Sequence, residues 1–450
     1  MERHSPRAQE QSTPERSPEE KTPTRTAPRT ARTLASLRHR NYRLYWLGQL
    51  ISLMGTLMQT TGQAWLVLQL THSAWQLGLV GALQFLPVLL FTLFGGVFAD
   101  RWPKRQVLLI TQAAALLQAL LLWALVAANI VQIWHVYVLA VLLGITSSLD
   151  RPTRSAFVVE MVGREDLPNA VALSSMLTNL ASVVGPGFGG ILIAAANGVA
   201  PLFLLNALSF LAAIGGLALM KPGEFYAQAR QPSSTGTQAA DAGERQSTWQ
   251  SLREGVAYVW QTPVVLLLTL VVGLVLLLGA NYNVVLPLFA TNVLHTGATG
   301  YGFLSAALSG GALLSALWLA LGNRQPTIRR VLFGVLLYGL LEAAFALSSF
   351  YPLSLALIAG VGVAESIFGA LAITMLQTVT PDHLRGRVSS VYVLFFTGSI
   401  PPGYLLVGWL SSAYGVSMCM LICALLCLLT AGAGWLWRKS AEQDVAAAPV

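Results

Sequence analysis

Gly96-Val97-Phe98-Ala99-Asp100-Arg101-Trp102-Pro103-Lys104-Arg105 is a charged island between two apolar runs, 76–99 and 106–128. As a helix, each run is long enough to cross a hydrocarbon core of about 30 Å. Read outward from the island, the pattern recurs as twelve runs: 44–70, 76–99, 106–128, 134–160, 168–196, 201–220, 264–289, 299–321, 330–349, 352–377, 387–412 and 415–437. The runs are continuous and do not alternate every second residue, so they read as helices and not as barrel strands. Short connectors with turn residues part them, such as Thr71-His72-Ser73, Asn197-Gly198 and Tyr414-Gly415.

Composition agrees. The chain has 450 residues, 55% hydrophobic and only 10% charged, with a mean hydropathy of +0.62. A soluble domain carries about 25% charged residues, so a soluble enzyme is excluded. The net charge of +8 would elsewhere point to nucleic acid, but its distribution points to topology. None of the 27 Lys and Arg falls in the first, third, fifth, seventh, ninth or eleventh connector; all lie in the termini, in the even connectors or at the helix ends beside them. The positive-inside rule then predicts a multi-pass protein of the inner or plasma membrane with both termini cytoplasmic.

Residues 1–36 are rich in Arg, Pro, Ser, Thr and Glu with no apolar stretch, and are expected to form a disordered cytoplasmic tail without a signal peptide. A six-helix bundle is expected over 37–220, a cytoplasmic linker over 221–263, a second six-helix bundle over 264–437 and a short cytoplasmic tail over 438–450. Within the linker, apolar residues at helical spacing from Trp249 to Trp260 predict an amphipathic interfacial helix. Two polar turns, Val162-Gly163-Arg164-Glu165-Asp166-Leu167 and Val379-Thr380-Pro381-Asp382-His383-Leu384, open the fifth and eleventh spans, and Gly185-Pro186 in one half corresponds to Pro402-Gly403 in the other. Parallel repeats of six helices are a transporter architecture with the substrate site at the repeat interface.

In the opening island, Gly96 permits close helix approach, Asp100 stands at a helix end where it can pair or cap, and Arg101, Lys104 and Arg105 suit an anionic leaflet. On these grounds alone the stretch is equally an ordinary basic loop obeying topology. In the fifth span, Ala181-Ser182-Val183-Val184-Gly185-Pro186-Gly187-Phe188-Gly189-Gly190 combines a bend at Pro186 with small residues for close packing.

The island resembles the signature loop of the major facilitator superfamily, with Pro103 in place of its second Gly. That resemblance implies a cytoplasmic latch of Gly96, Asp100, Arg101, Lys104 and Arg105, closing on Arg151 or Arg154 and on the start of span eleven near Ser389. Gly185-Pro186 and Gly189-Gly190 resemble the span-five signature of exporting, proton-antiporting facilitators, with Ala181 for its leading Gly, and imply export with limited proton leak. Pro381-Asp382-His383-Leu384-Arg385-Gly386-Arg387-Val388 and Asn41-Tyr42-Arg43-Leu44-Tyr45-Trp46 resemble the branch of enterobactin and macrolide exporters. The span-four Arg motif of other drug–proton antiporters is not visible in its usual place.

Glu365 in span ten and Glu342 in span nine are acids at membrane depth, where a charge is costly, so both are candidate proton carriers. The resemblance implies that spans one, four, seven and ten line the cavity, which favours Glu365. Gln59, Gln63, Gln84, Asn281 and Asn283 are candidate cavity residues, or equally interhelical glue. Asp150 and Arg151 read as gate residues. Cys419, Cys423 and Cys427 recur every fourth residue on one helix face and read as small packing residues. His and Cys spacing offers no metal site, no phosphate loop is present, and no cofactor is expected.

The expectation is therefore an all-α membrane protein of twelve transmembrane helices in two six-helix bundles. It would be a secondary transporter exporting a small amphipathic compound by proton antiport with alternating access, as a monomer among membrane lipids, without nucleic acid and without enzymatic activity. A siderophore exporter, a lipid or lysolipid transporter and a non-transporting receptor or scaffold stay open; intact latch and kink motifs argue against the last.

Overall fold

A backbone in lipid must satisfy its own N–H and C=O groups, and a chain of apolar runs does so by forming helices. The computed structural model describes residues 35–226, 248–322 and 326–447, the side chains of 92–101, 248–252 and 439–447 excepted. The helices of the first half are α1 (Arg40–Thr71), α2 (Ala74–Arg101), α3 (Lys104–Ala127), α4 (Ile133–Val162), α5 (Leu167–Ala195) and α6 (Ala200–Ala218). After the linker helix α7 (Thr248–Gln261) come α8 (Pro263–Leu278), α9 (Tyr282–Asn292), α10 (Gly297–Leu321), α11 (Ile328–Leu347), α12 (Tyr351–Val379), α13 (Asp382–Tyr414) and α14 (Val416–Ala447).

Eleven helical segments among the described residues are long and apolar enough to cross a membrane, α8 and α9 counting as one. The twelfth is α1, whose hydropathy is lowered by Gln49, Ser52, Thr56, Gln59, Thr60, Thr61 and Gln63. At 32 residues it is about 48 Å long, ample for a crossing. The seventh span, read from sequence as one run over 264–289, is instead broken between Leu278 and Tyr282.

Helix pairing repeats between the halves. In the first, α1 packs on α5 and α6, α3 on α4 and α6, and α2 on α4; in the second, α8 packs on α13 and α14, α11 on α12 and α14, and α10 on α12. Each pair of the first half has its counterpart six spans later. The glycine trace follows the same symmetry. A Cβ on Gly185 would lie 2.9 Å from Leu57 Cβ of α1, and one on Gly403 would lie 2.7 Å from the Leu277 carbonyl of α8. The bundles meet along α5–α10 and α2–α13.

Antiparallel alternation brings the described Lys and Arg to one face, together with Arg38 ahead of α1 and Arg438 near the end of α14. This is the basic face; the opposite one is the far face. On the far face, His72, Asn129, Asn197 and His295 end helices in the left-handed region, with φ of 51°, 55°, 50° and 54°. There the turn aims backbone N–H groups back at the last carbonyls of the helix, as His72 N–H to Leu68 at 2.9 Å and Gly198 N–H to Ile193 at 3.1 Å, so a short connector leaves few of them unserved. The linker helix α7, predicted over 249–260, lies on α13: Glu254 pairs with Arg387, and a Cβ on Gly255 would fall 3.0 Å from the Arg387 carbonyl.

Candidate functional site

Among the described residues, the close glycine contacts between the bundles lie toward the far face. A Cβ on Gly190 of α5 would lie 2.6 Å from the Ala298 carbonyl and 2.8 Å from Gly302 Cα of α10, so only glycine admits this approach. Trp65 of α1 stacks on Tyr301 of α10 at 6.4 Å. At the α2–α13 seam, Ser412 Oγ accepts from the Trp75 backbone N–H at 2.9 Å. The span-five motif therefore serves two neighbours: Gly185 and Gly189 admit α1 within the bundle, while Gly190 and the Pro186 carbonyl meet Gly302 of α10 across the interface.

On the basic-face side, a cavity of about 740 Å³ lies against the first bundle. Its wall comes from the basic-face halves of α1, α4 and α5, with Gln112 and Ala115 of α3 and Phe210 of α6 at its base. Trp46, Leu53, Leu57 and Leu143 give it apolar surface; Ser52, Thr56, Thr146, Ser174 and Thr178 give it hydroxyls. It suits an amphipathic molecule with hydrogen-bonding groups.

One side of the wall is a polar network that joins three helices. Asp150 of α4 is nearly buried and accepts from Thr111 Oγ1 at 2.8 Å, from Gln112 Nε2 at 3.0 Å and from Arg154 Nε. Arg154 also hydrogen-bonds with Tyr45 of α1. Ser52 Oγ donates to Gln112 Oε1 at 3.4 Å. A buried carboxylate is tolerable only when its lone pairs are met and its charge offset, and Asp150 has both. Arg151, one residue on, points elsewhere and is exposed on the cavity wall.

The residues of the expected latch divide. Lys104 Nζ donates to Glu160 Oε1 at 2.6 Å, tying the start of α3 to the end of α4. Arg105 donates to the carbonyls of Leu217 at 2.8 Å and Ala218 at 2.9 Å, capping α6 with a cation where its dipole is negative. Both brace the first bundle internally. Arg154 is held by Asp150, and Arg151 faces the cavity. The backbone of α2 runs helical through Gly96, Asp100 and Arg101, whose side chains lie outside the described residues.

None of the five uncharged residues read as cavity candidates lines this cavity. Gln59 is buried in an amide network, donating to Gln118 Oε1 at 3.0 Å and accepting from Asn206 Nδ2 at 2.7 Å, which joins α1, α3 and α6. Gln63 is buried seven residues beyond Thr56, in the closed half of the interface. Gln84 is half-buried on α2, with its backbone carbonyl against Gly144 of α4. Asn281 is buried at the break of the seventh span, where its side chain donates to the Leu277 carbonyl at 3.0 Å. Asn283 is exposed and donates to Tyr404 Oη of α13 at 3.1 Å. Gln49, Ser52, Thr56 and Gln112 line the cavity in their place. Gln49, Ser52 and Thr56 recur at helical spacing on the basic-face half of α1, a signal present in the sequence.

Both acids sit in the second bundle. Glu342 of α11 is 2% exposed and within hydrogen-bonding reach of Tyr338; Glu365 of α12 is half-buried and acts on Glu342 electrostatically. Among the described residues no cluster of His, Cys, Asp and Glu has the makings of a metal site.

Comparison with known proteins agrees with this architecture. Residues 31–449 match the family described as transmembrane secretion effector, of the major facilitator superfamily. The multidrug efflux pump Tap of Mycolicibacterium fortuitum is 30% identical over 395 residues, covering 86% of this chain and 92% of that one. The enterobactin exporter EntS of Escherichia coli is 27% identical over 359 residues, covering 79% and 81%. In fold, the chain superposes on a bacterial homologue of the human lysosomal transporter Spinster with a TM-score of 0.67 at 14% identity, covering 93% and 99%. With the nucleoside transporter NupG the TM-score is 0.68 at 13% identity, covering 89% and 99%. Two repeated bundles of six spans, a seam of glycines between them and a family match over almost the whole length agree: the chain belongs to the transmembrane secretion effectors of the major facilitator superfamily.

Proposed function

We propose that the protein exports a small amphipathic compound from the cytoplasm in exchange for protons, by alternating access. The observation that carries this reading is the cavity of about 740 Å³, open toward the basic face and closed at the far face by the Gly190–Gly302 and Trp75–Ser412 contacts. The positive-inside rule makes the basic face cytoplasmic, so a compound enters the cavity from the cell interior. The bundles, 37–220 and 264–437, then rock about the far-face seam, and the linker 221–263 keeps them joined. With the far face open, the island holding Asp100 closes the basic face. The functional unit is one chain in the membrane.

The wall favours an uncharged or acid-bearing substrate, because Asp150 is already matched by Arg154 while Arg151 faces the cavity. Arg151 and the hydroxyl-lined wall also favour the second reading, a siderophore with clustered oxygen donors. The names of the relatives, a multidrug efflux pump and an enterobactin exporter, fit either substrate. Glu365, half-buried and coupled to Glu342, is the proton carrier nearer the surface.

The test is proton movement in everted vesicles. A pH-sensitive dye reports collapse of an imposed gradient when drugs or siderophores are added singly. Export by antiport predicts collapse by members of one class, loss of that response in Asp100→Asn and loss of proton-driven efflux in Glu365→Gln. Normal proton-driven efflux in Glu365→Gln removes that residue from the mechanism. Labelled compound moving without protons removes antiport.

A further inference from the structure

The break in the seventh span is built around a side chain from another helix. Between α8 and α9, the Gly279 N–H still bonds to Val275 at 2.7 Å, but the Asn281 N–H turns back to the Gly279 carbonyl at 2.8 Å. The Asn281 side chain serves the Leu277 carbonyl at 3.0 Å, so the interruption leaves this carbonyl satisfied. Tyr338 of α11 sits against the break: a Cβ on Gly279 would fall 2.9 Å from its Cε1 and Cζ. Its hydroxyl is 2.7 Å from the hydroxyl of Tyr282, the first residue of α9. Tyr338 thus touches the residue that caps α8 and the residue that starts α9.

One turn along α11, Glu342 stands within hydrogen-bonding reach of the same hydroxyl. Its Oε2 is buried with no hydrogen-bond partner among the described residues. The titratable groups facing this pocket are Tyr338 on its own helix, Tyr282 on α9, Glu365 on α12, and Cys419, Cys423 and Cys427 on α14. No Lys or Arg occurs on α8, α9 or α12, α14 has none before Arg438, and on α11 Arg329 and Arg330 stand about three turns from Glu342, at the opposite end of the helix. A charge on either acid therefore has no cation to offset it, and in an apolar surrounding a proton takes that place.

We propose that Glu342 is a proton-binding site that sets the angle of the seventh span at Gly279–Asn281 through the paired hydroxyls of Tyr338 and Tyr282. As a carboxylate, Glu342 accepts the Tyr338 O–H, and Tyr338 in turn accepts from Tyr282. As an acid, its own O–H donates to Tyr338, which then donates to Tyr282. The direction of the chain reverses, and with it the position of the first turn of α9 relative to α8. Because α9 packs on α1, α2 and α10, a change at the break reaches the seam between the bundles. This rests on the proton-coupled reading above and supplies its mechanical link.

The test is distance measurement by pulsed electron resonance in nanodiscs, with spin labels on Ile130→Cys in the α3–α4 connector and Leu347→Cys at the end of α11. Both positions are exposed on the far face, one in each bundle, while the native cysteines are buried. The distance between bundles is followed from acid to alkaline pH with no substrate present. The wild type should change between two distance populations with pH, and Glu342→Gln should hold one population throughout. Tyr338→Phe should move the midpoint by about one pH unit, the tenfold effect of losing one hydrogen bond to a charged group. Glu342→Asp should restore a pH response, which separates proton binding from mere packing. A wild type without a pH-dependent transition, or a Glu342→Gln protein with the wild-type midpoint, overturns the proposal. Should Glu342→Gln fail to fold, an unmoved midpoint in Tyr338→Phe overturns it equally. Efflux of the same drugs and siderophores from vesicles is measured beside it. A transition that depends on Glu342 without export leaves this proposal standing and removes the exporter reading.

Discussion

Gln59 in the first bundle and Glu342 in the second are both 2% exposed, and they are buried in opposite ways. Gln59 has each end of its amide engaged, by Gln118 and Asn206, and ties three helices together, while Gln118 Nε2 at the edge of that network has no hydrogen-bond partner among the described residues. Glu342 keeps one oxygen unpartnered in a pocket without a cation. The first bundle carries many satisfied buried polar groups, among them Thr111, Gln112 and Asp150; the second is dominated by aliphatic and aromatic side chains around two acids. A satisfied polar network rigidifies, whereas an unsatisfied ionisable group responds to its proton. In the proposed cycle the first bundle serves as the wall of the cavity, and the second carries the group that answers to a proton.

Removing an acid from each bundle gives the sharpest contrast. Asp150→Ala orphans Arg154 and two donors, and should lower stability by about 3 kcal/mol, the modest end for a buried pair because Arg154 keeps some exposure. Glu342→Leu orphans no cation and should be neutral or stabilising while abolishing the pH response. Thermal unfolding in detergent measures both, and equal losses would erase the distinction between the bundles.

Next in size are the glycines of α5, which separate packing within a bundle from packing between bundles. Gly185→Leu forces α5 off α1 and should cost about 1–3 kcal/mol in stability. Gly190→Leu meets α10, which a rocking motion can move away. It should leave the fold intact, expose the far-face seam to thiol reagents at introduced cysteines, and reduce efflux at least tenfold. Unchanged efflux in Gly190→Leu would mean that this seam need not close.

Smaller is the effect of Gln59→Leu, which removes two interhelical hydrogen bonds worth about 0.6 kcal/mol each in a membrane protein. Stability should fall slightly and substrate preference should hold; a changed preference would place Gln59 in the transport path. Arg151→Gln should move stability by no more than about 0.5 kcal/mol, yet weaken acid-bearing substrates severalfold relative to neutral ones. Equal loss for both classes would show that the guanidinium does not read charge.

Much of this was legible in the sequence. The twelve spans, the shared basic face and the linker helix follow from hydropathy and from where Lys and Arg fall, with α7 found over Thr248–Gln261 where 249–260 was expected. The site was legible only in part. Glu342 and Glu365 stand out because an acid at membrane depth is rare. Gln59 and Gln112 do not stand out from one another, since a glutamine in a span reads the same whether it faces a cavity or a neighbouring helix. Asp150 was read with Arg151 as a gate, whereas its partner is Arg154 at i+4, and Thr111 and Gln112, which complete the network, come from another helix. The break at Gly279-Ala280-Asn281 lay within an unbroken apolar run, and hydropathy does not register an interruption made of glycine, alanine and one asparagine.

The sequence by itself determined that the chain crosses a membrane, how many times, and which connectors share a face, because these depend on the cost of each segment in lipid taken alone. Tertiary structure decided which amides brace a bundle, which hydroxyls face the cavity, that Gly190 meets Gly302, and that Tyr338 stands in the break of the seventh span. These depend on how helices far apart in the chain are rotated against one another, and that rotation is set by close packing of small and large side chains across several helices at once.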